Sequence, residues 1–344
     1  MQQPMTVVRA STPDELLGAL SYTMVIRPQD NDLIVLGLVG QRVEVAGRMD
    51  MDQSTPDSVR GAVRLIEQRV PGAEFGFVAY GRPDVAWTAL ATAQAAYPQP
   101  VLLLAVDGDR WRQGSPDGPS GIVGDATRAA AVLVAAGVPP APTRADVENS
   151  LRAPDGDALA QAVRMGAAYG DRAEAMTAQQ QEQVMDEMLG RALSGTAGPE
   201  TMTAMAVLLA FPAARDRAML RLEPANAPEH VAAWTKVVGH APPAARPHVL
   251  TQIALAAWVG GDGLRSNLVL RRMDADGLAP TGMSALLRTA AKTGMKGPDV
   301  WPTVRESMTA GRPSPERVVS ARGGAPEHQP SVSRSHARAS SPGL

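Results

Sequence analysis

The chain has 344 residues, of which 44% are hydrophobic and 3% aromatic, and its formal net charge is −2 at pH 7. This length and composition are typical of a soluble globular protein of about two domains. The sequence contains no cysteine, which excludes disulfides, thiol nucleophiles and cysteine-ligated zinc. A net charge near zero provides no bulk electrostatic attraction to nucleic acid.

The lysines and histidines are all in the second part of the chain, after residue 229. A site built from the first part must therefore use carboxylates, arginines, hydroxyls and backbone groups. A Ser-His-Asp triad would need its histidine from the second part, and no lysine-containing phosphate-binding loop is present.

The chain gives no sign of export or membrane insertion. Its start lacks a basic segment, and Asp14 and Glu15 interrupt the apolar stretch that follows, so no signal peptide is predicted. The apolar segments 129–138 and 202–214 are too short to cross about 30 Å of hydrocarbon as helices. We interpret both as buried helices and expect a cytoplasmic protein that does not contact a membrane.

Strands and helices alternate up to about residue 140. A first helix is predicted from Thr12, which can cap it ahead of Pro13. Strands are predicted at 32–39, 42–46, 75–80 and 101–106, and further helices at 55–70, 84–97 and 125–136. Two of the strands, 32–39 and 101–106, are almost continuously aliphatic, a pattern typical of strands covered on both faces. Residues 1–140 are therefore predicted to form an α/β sandwich of four to six strands with a mixed, mostly parallel sheet.

Residues 141–310 show helical periodicity and no convincing strand. Helices are predicted to begin at Thr143, Thr177, Pro199, Pro228, Pro247, Leu264, Thr281 and Pro298. The last four starts are seventeen residues apart, which gives a two-helix repeat of the tetratricopeptide period, about 34 residues. The small and aromatic positions of that repeat are mostly unmatched, so either a tetratricopeptide-like domain or a more general all-α helical-hairpin array fits the pattern.

Residues 311–344 are rich in Ser, Pro, Gly and Arg, with five arginines against two glutamates. Such a segment has too few apolar side chains to offset its chain entropy, so a disordered, mildly basic tail is predicted.

The strand ends provide one candidate ligand site. In open α/β sheets ligands bind beyond the carboxyl ends of the strands. Six residues follow the third and last strands of the pattern: Arg82, Asp84, Asp107, Asp109, Arg110 and Trp111. The arginines could bind a phosphate or carboxylate, and the carboxylates could hold Mg²⁺. The alternative is structural, because Asp-Gly-Asp is a common turn, Asp84 can cap a helix and Trp111 can pack.

Three other groups of residues are interpreted as structural. The carboxylates of 50–57 precede a helix and lack the glycine and distal glutamate of an EF-hand loop. His230, His240 and His248 are not spaced to share one helix face, so we expect surface or helix-end histidines and no metal site. The glycine-rich segment 260–263 follows a helix and is predicted to be an interhelical turn.

Several short motifs resemble an actinobacterial family known as domain of unknown function 4192 (DUF4192). They are the segments 12–17 and 27–38 with Tyr22, the turn and Arg-Trp pair of 107–111, the aliphatic helix of 131–140, and the Ala257-Trp258 and 261–263 motifs. The resemblance covers about residues 10 to 310. The family usually has Gly-Phe where this chain has Val25-Ile26, and a cysteine-containing loop where this chain has 114–118. If that loop binds a ligand in relatives, the function is altered or lost here.

The resemblance implies no activity, so function is inferred from the layout. We expect a binding or scaffold protein that recognises a protein partner through the helical part. The alternative is a binding protein or enzyme for a small anionic molecule, with its site at the strand ends. The sequence indicates no particular cofactor, and the oligomeric state stays open.

Overall fold

The computed structural model describes residues 12–24, 26–40, 42–123, 127–136, 138 and 140–310. The tail predicted for 311–344 lies outside the described residues. The elements follow the order expected from the sequence, with a sheet and its helices first and a long run of helices after it.

The described strands form one mixed sheet in the order β2-β1-β3-β4-β5-β6. They are β1 (Asp32–Val39), β2 (Arg42–Asp50), β3 (Glu74–Tyr80), β4 (Leu102–Asp107), β5 (Arg110–Gln113) and β6 (Ser120–Ile122). The β3–β4 pair is parallel, and the other four pairs are antiparallel. The prediction of a mostly parallel sheet is therefore wrong, because an apolar run reports burial of both faces and does not report the direction of the neighbouring strand.

Helices cover both faces of this sheet. Leu33 and Val35 of β1 pack with α2 (Pro56–Arg69) and α3 (Pro83–Ala96). Ile34 and Leu36 point to the opposite face and pack with α1 (Pro13–Thr23). The helix α4 (Arg128–Ala135) contacts α1. Because successive side chains of a strand point to opposite faces, both sides of β1 are buried, as its apolar sequence indicates.

Residues 140–310 contain ten helices and no strand. They are α5 (Arg144–Ser150), α6 (Gly156–Glu174), α7 (Ala178–Leu193), α8 (Pro199–Leu208), α9 (Pro212–Leu220), α10 (Ala227–Val238), α11 (Arg246–Val259), α12 (Gly263–Ala275), α13 (Gly282–Thr293) and α14 (Gly297–Ala310). Thr143, Thr177 and Thr281 cap α5, α7 and α13 at the predicted starts. The sequence did not predict α6 or α9. Among the described residues no helix combines the length and the apolar character needed to cross a membrane.

These helices pack around α11. Most side chains of α11 are buried, and α11 contacts α8, α10, α12, α13 and α14. The last helix, α14, contacts α9. Just after α9, the carbonyl oxygen of Leu222 accepts a hydrogen bond from the indole Nε1 of Trp301 in α14 at 2.8 Å. In a helical-repeat array each unit contacts only its neighbours. The closed packing seen here differs from the tetratricopeptide-like array that the seventeen-residue spacing predicted.

Candidate functional site

The strand-end residues singled out from the sequence lie at one edge of the sheet. Because β3 and β4 are parallel, their carboxyl ends meet there, and the amide of Gly81 donates to the carbonyl oxygen of Val106 at 2.8 Å. The chain then reverses through Gly108, whose φ of 59° lies in the left-handed region that favours glycine. Asp107 and Arg110 face each other across the resulting β4–β5 hairpin.

Most of these six residues are exposed and do not enclose a ligand site. Arg82 and Asp84 form an exposed ion pair with an Nη2–Oδ2 distance of 3.4 Å. Trp111 is buried, and its indole ring covers Gly121, where an added Cβ would come within 2.7 Å of the ring. The described residues contain no group of three or more His, Asp or Glu side chains that could hold a metal ion. An anion site at this edge stays a prediction.

An ion-pair network that the sequence did not predict lies at the same edge. Asp32, at the start of β1, is fully buried and contacts the guanidinium groups of Arg48 and Arg144. Asp50, at the end of β2, accepts hydrogen bonds from Arg144 at 3.2 Å and from Arg271 at 2.9 Å. The network therefore joins the sheet to α5 and α12.

The surroundings of the two carboxylates shift their pKa values in opposite directions. Burial raises the pKa of Asp32, although the amide of Gln29 and the guanidinium groups of Arg48 and Arg144 favour the ionised form. Burial also acts to raise the pKa of Asp50, but the hydrogen bonds and charges of Arg271 and Arg144 outweigh it and lower that pKa. Both carboxylates are partnered inside the protein, so this network is structural and offers no open site.

A cavity of about 160 Å³ lies between α5 and the helices α10, α11 and α12. We call it the α5 cavity. Its lining residues are Pro142, Asp146, Val147, Ser150, Leu151, Thr235, Ile253 and Arg265. Half of these side chains are apolar, and the other half supply a carboxylate, two hydroxyls and one guanidinium.

Arg265 is held in place by a neighbouring carboxylate. Asp262 caps α12: one carboxylate oxygen accepts the backbone amide of Arg265 at 2.9 Å, and the other lies 3.2 Å from its Nε. Burial raises the pKa of Asp262, while the amide and the charge of Arg265 oppose that shift. The terminal Nη atoms of Arg265 and the hydroxyl of Thr235 make no hydrogen bond with any described residue. These donors remain available at the cavity.

Both ends of α5 are anchored, so this wall of the cavity is fixed. Before the helix, the carbonyl oxygen of Pro142 accepts the amide of Arg27 at 2.9 Å. In its first turn Arg144 enters the ion-pair network. After the helix, the carbonyl oxygen of Leu151 accepts a hydrogen bond from the buried guanidinium of Arg246 at 2.8 Å.

The model of the family described as "Domain of unknown function (DUF4192)" matches residues 13–297, from the first residue of α1 to the first residue of α14. The chain belongs to this family. No curated protein and no solved structure matches it. All residues that line the α5 cavity and all residues of the ion-pair network fall inside the DUF4192 region, whereas most of α14 lies beyond it.

Motifs that carried the DUF4192 resemblance have structural roles. The turn at 107–111 makes the β4–β5 hairpin and places Trp111 on Gly121. The segment 260–263 is the predicted interhelical turn, with Gly261 at φ 83° and Asp262 capping α12. Trp258 donates to the carbonyl oxygen of Met295 at 3.0 Å. These contacts stabilise the fold and leave the ligand unspecified.

One histidine is more deeply buried than the sequence predicted. His230 lies in the first turn of α10 with 1% of its surface exposed, and its Nε2 has no hydrogen-bond partner. Burial, and then the positive charge of Arg221, lower its pKa from 6.5 to about 4, against the weaker effect of Glu229. The imidazole is therefore neutral in the folded protein at pH 7.

Acid is expected to destabilise the protein through His230. Between pH 6.5 and 4 the unfolded chain binds this proton more strongly than the folded protein does, so stability is complete above pH 6.5 and falls as the pH is lowered toward 4. The full loss is about 3 kcal/mol, since each pKa unit corresponds to about 1.4 kcal/mol. Urea unfolding at a series of pH values measures it. His230→Leu should flatten this part of the profile, and an unchanged profile would contradict the assignment.

Proposed function

We propose that this DUF4192 protein binds a compact small molecule in the α5 cavity. The observation that carries the proposal is a concave site with apolar walls and unused hydrogen-bond donors, the combination typical of ligand pockets. The volume of about 160 Å³ accommodates one ring of roughly the size of benzene, which occupies a cavity of about 150 Å³ in another protein.

The lining residues favour binding over catalysis. They supply one guanidinium, one carboxylate and two hydroxyls, but no histidine, lysine or cysteine that could serve as the usual base or nucleophile. The carboxylate, Asp146, is already engaged, because it accepts hydrogen bonds from the backbone and hydroxyl of Thr143. A scaffold role with a protein partner has weaker support, since helices packed around α11 do not form the extended groove of an open array.

Blocking the cavity mouth tests the proposal. Ser150 is exposed and lines the cavity, so Ser150→Trp should place an indole over the opening without disturbing the core. A ligand whose free concentration is 100 times its dissociation constant stabilises the folded protein by about 2.7 kcal/mol. We expect benzamide or toluene to raise the melting temperature of the wild-type protein and to have little effect on Ser150→Trp.

Asn149→Trp is the matched control. Asn149 is the neighbouring residue on α5, is also exposed and does not line the cavity. This variant should retain the response of the wild-type protein to both probes. Absence of any response in the wild-type protein, or equal responses in both tryptophan variants, would refute ligand binding in the α5 cavity.

A further inference from the structure

We infer that the α5 cavity selects neutral molecules that carry one carbonyl oxygen on an apolar body, such as primary amides or ketones, over carboxylates of the same shape. This inference rests on the proposed function and adds the chemical class of the ligand. It depends on which donors the cavity offers and on how the charges around it are already paired.

The available donors require an acceptor on the ligand. The Nη atoms of Arg265 and the hydroxyl of Thr235 come from α12 and α10 and have no partner among the described residues. A carbonyl oxygen can accept a hydrogen bond from either of them. A purely apolar ligand would remove these donors from water without replacing their hydrogen bonds, which is unfavourable.

The remaining walls require an apolar body. Val147, Leu151 and Ile253 are buried side chains of the protein core, and Pro142 closes the side before α5. Contact with these side chains removes apolar surface of the ligand from water, which provides most of the affinity of a small ligand. A ligand with polar groups on the part that faces this wall would leave them unpaired.

The charges near the cavity disfavour an anion. Asp262 already neutralises Arg265, with its carboxylate oxygen 3.2 Å from Nε. The carboxylate of the lining itself belongs to Asp146, which is exposed. Hydrogen bonds from Thr143, and then the positive charge of Arg27, lower the pKa of Asp146, so it is ionised at neutral pH. Arg265, the guanidinium of the lining, is thus already paired with a carboxylate. A bound carboxylate would therefore share Arg265 with Asp262 and add a second negative charge beside it, whereas a carbonyl adds none.

Three probes with the same ring test which chemical class of ligand the full-length protein binds at pH 7. Benzamide has a neutral carbonyl, benzoate is its anionic counterpart, and toluene has no acceptor. We expect benzamide to bind at least about tenfold more tightly than benzoate, because one extra unfavourable charge contact of this kind is worth a factor of ten or more. Dissociation constants from NMR titrations, at equal ionic strength, measure the difference.

Asp262→Asn is expected to remove the preference for the neutral probe, because it removes the negative charge beside Arg265. The amide oxygen can still cap α12, but Arg265 loses its neutralising partner. The ratio of benzoate to benzamide affinity should then rise by about tenfold or more. Arg265→Met keeps an apolar stem and removes the guanidinium donors, which leaves the hydroxyl of Thr235. In this variant the affinity for benzamide should fall toward the affinity for toluene.

The outcomes separate this inference from the proposed function. Benzoate binding as tightly as benzamide to the wild-type protein would overturn the ligand class and leave the cavity as a binding site. Failure of all three probes to bind would overturn the proposed function itself. The comparison of benzamide with benzoate on the wild-type protein decides the chemical class of the ligand by itself. This test therefore does not require that either variant folds.

Discussion

Asp32→Ala is expected to lower the free energy of unfolding by about 3–5 kcal/mol, the range seen when one member of a buried ion pair is removed. The variant leaves Arg48 with a buried positive charge, because its side chain is only 6% exposed and Asp32 is its ion-pair partner. It also removes the acceptor of the Gln29 amide, which lies 2.6 Å from the Asp32 carboxylate. Urea unfolding followed by circular dichroism measures the change.

Two controls show whether buried charge is the cause. Asp57→Ala breaks an exposed ion pair with Arg60 and should change stability by at most about 1 kcal/mol. The double variant Asp32→Leu with Arg48→Met replaces both charges by apolar side chains and should recover much of the stability lost in Asp32→Ala. If Asp32→Ala is no more destabilising than Asp57→Ala, the buried network does not hold the sheet against the helices.

Sequence patterns were most informative where the signal is local. Thr143, Thr177 and Thr281 each cap a helix at the predicted position, because a capping hydroxyl acts on an amide three residues away. The predicted buried segment 202–214 divides at Phe211, since Pro212 begins a new helix there. Capping residues and prolines at the ends of a helix therefore predict its position more reliably than the distribution of its apolar residues does.

The direction of the strands and the packing of the helices depend on contacts between distant residues. The run from Leu33 to Leu36 indicates burial on both faces, and helices do cover both faces, but β1 runs antiparallel to both of its neighbours. The seventeen-residue spacing marks helix starts correctly. This spacing contains no information on whether the last helix contacts α9. It therefore could not distinguish an open array of helices from a closed bundle.

The candidate sites also depend on contacts between residues that are distant in the sequence. The sequence placed Arg82 and Asp107 at one edge of the sheet, and the parallel β3–β4 pair does bring their loops there. It missed the ion-pair network at that edge because Arg144 is 112 positions from Asp32. The one local signal for the burial of Asp32 was a charged residue at the start of an otherwise apolar strand. The α5 cavity had no signal, since its lining comes from four helices.

Trp301→Ala is expected to lower the free energy of unfolding by about 3–5 kcal/mol, the range for truncating a buried large aromatic side chain. Trp301 is 1% exposed and is one of the largest fully buried side chains of the protein. Its indole also donates to the carbonyl oxygen of Leu222, two residues after α9 and far from α14 in the sequence. Urea unfolding gives the total effect, and hydrogen exchange of the α9 amides shows whether the contact with α9 is lost.

Two further variants separate packing from the polar contacts between α14 and α9. Trp301→Phe keeps most of the apolar volume and removes the hydrogen bond, so it should be less destabilising than Trp301→Ala. Arg305→Ala removes a partly exposed ion pair with Glu223 and should have an effect of at most about 1 kcal/mol. In an open array α14 would contact only the preceding helix, and Trp301→Ala would leave exchange in α9 unchanged. In the closed bundle, loss of Trp301 should increase exchange in α9 and α14 together, because each of these helices covers the other.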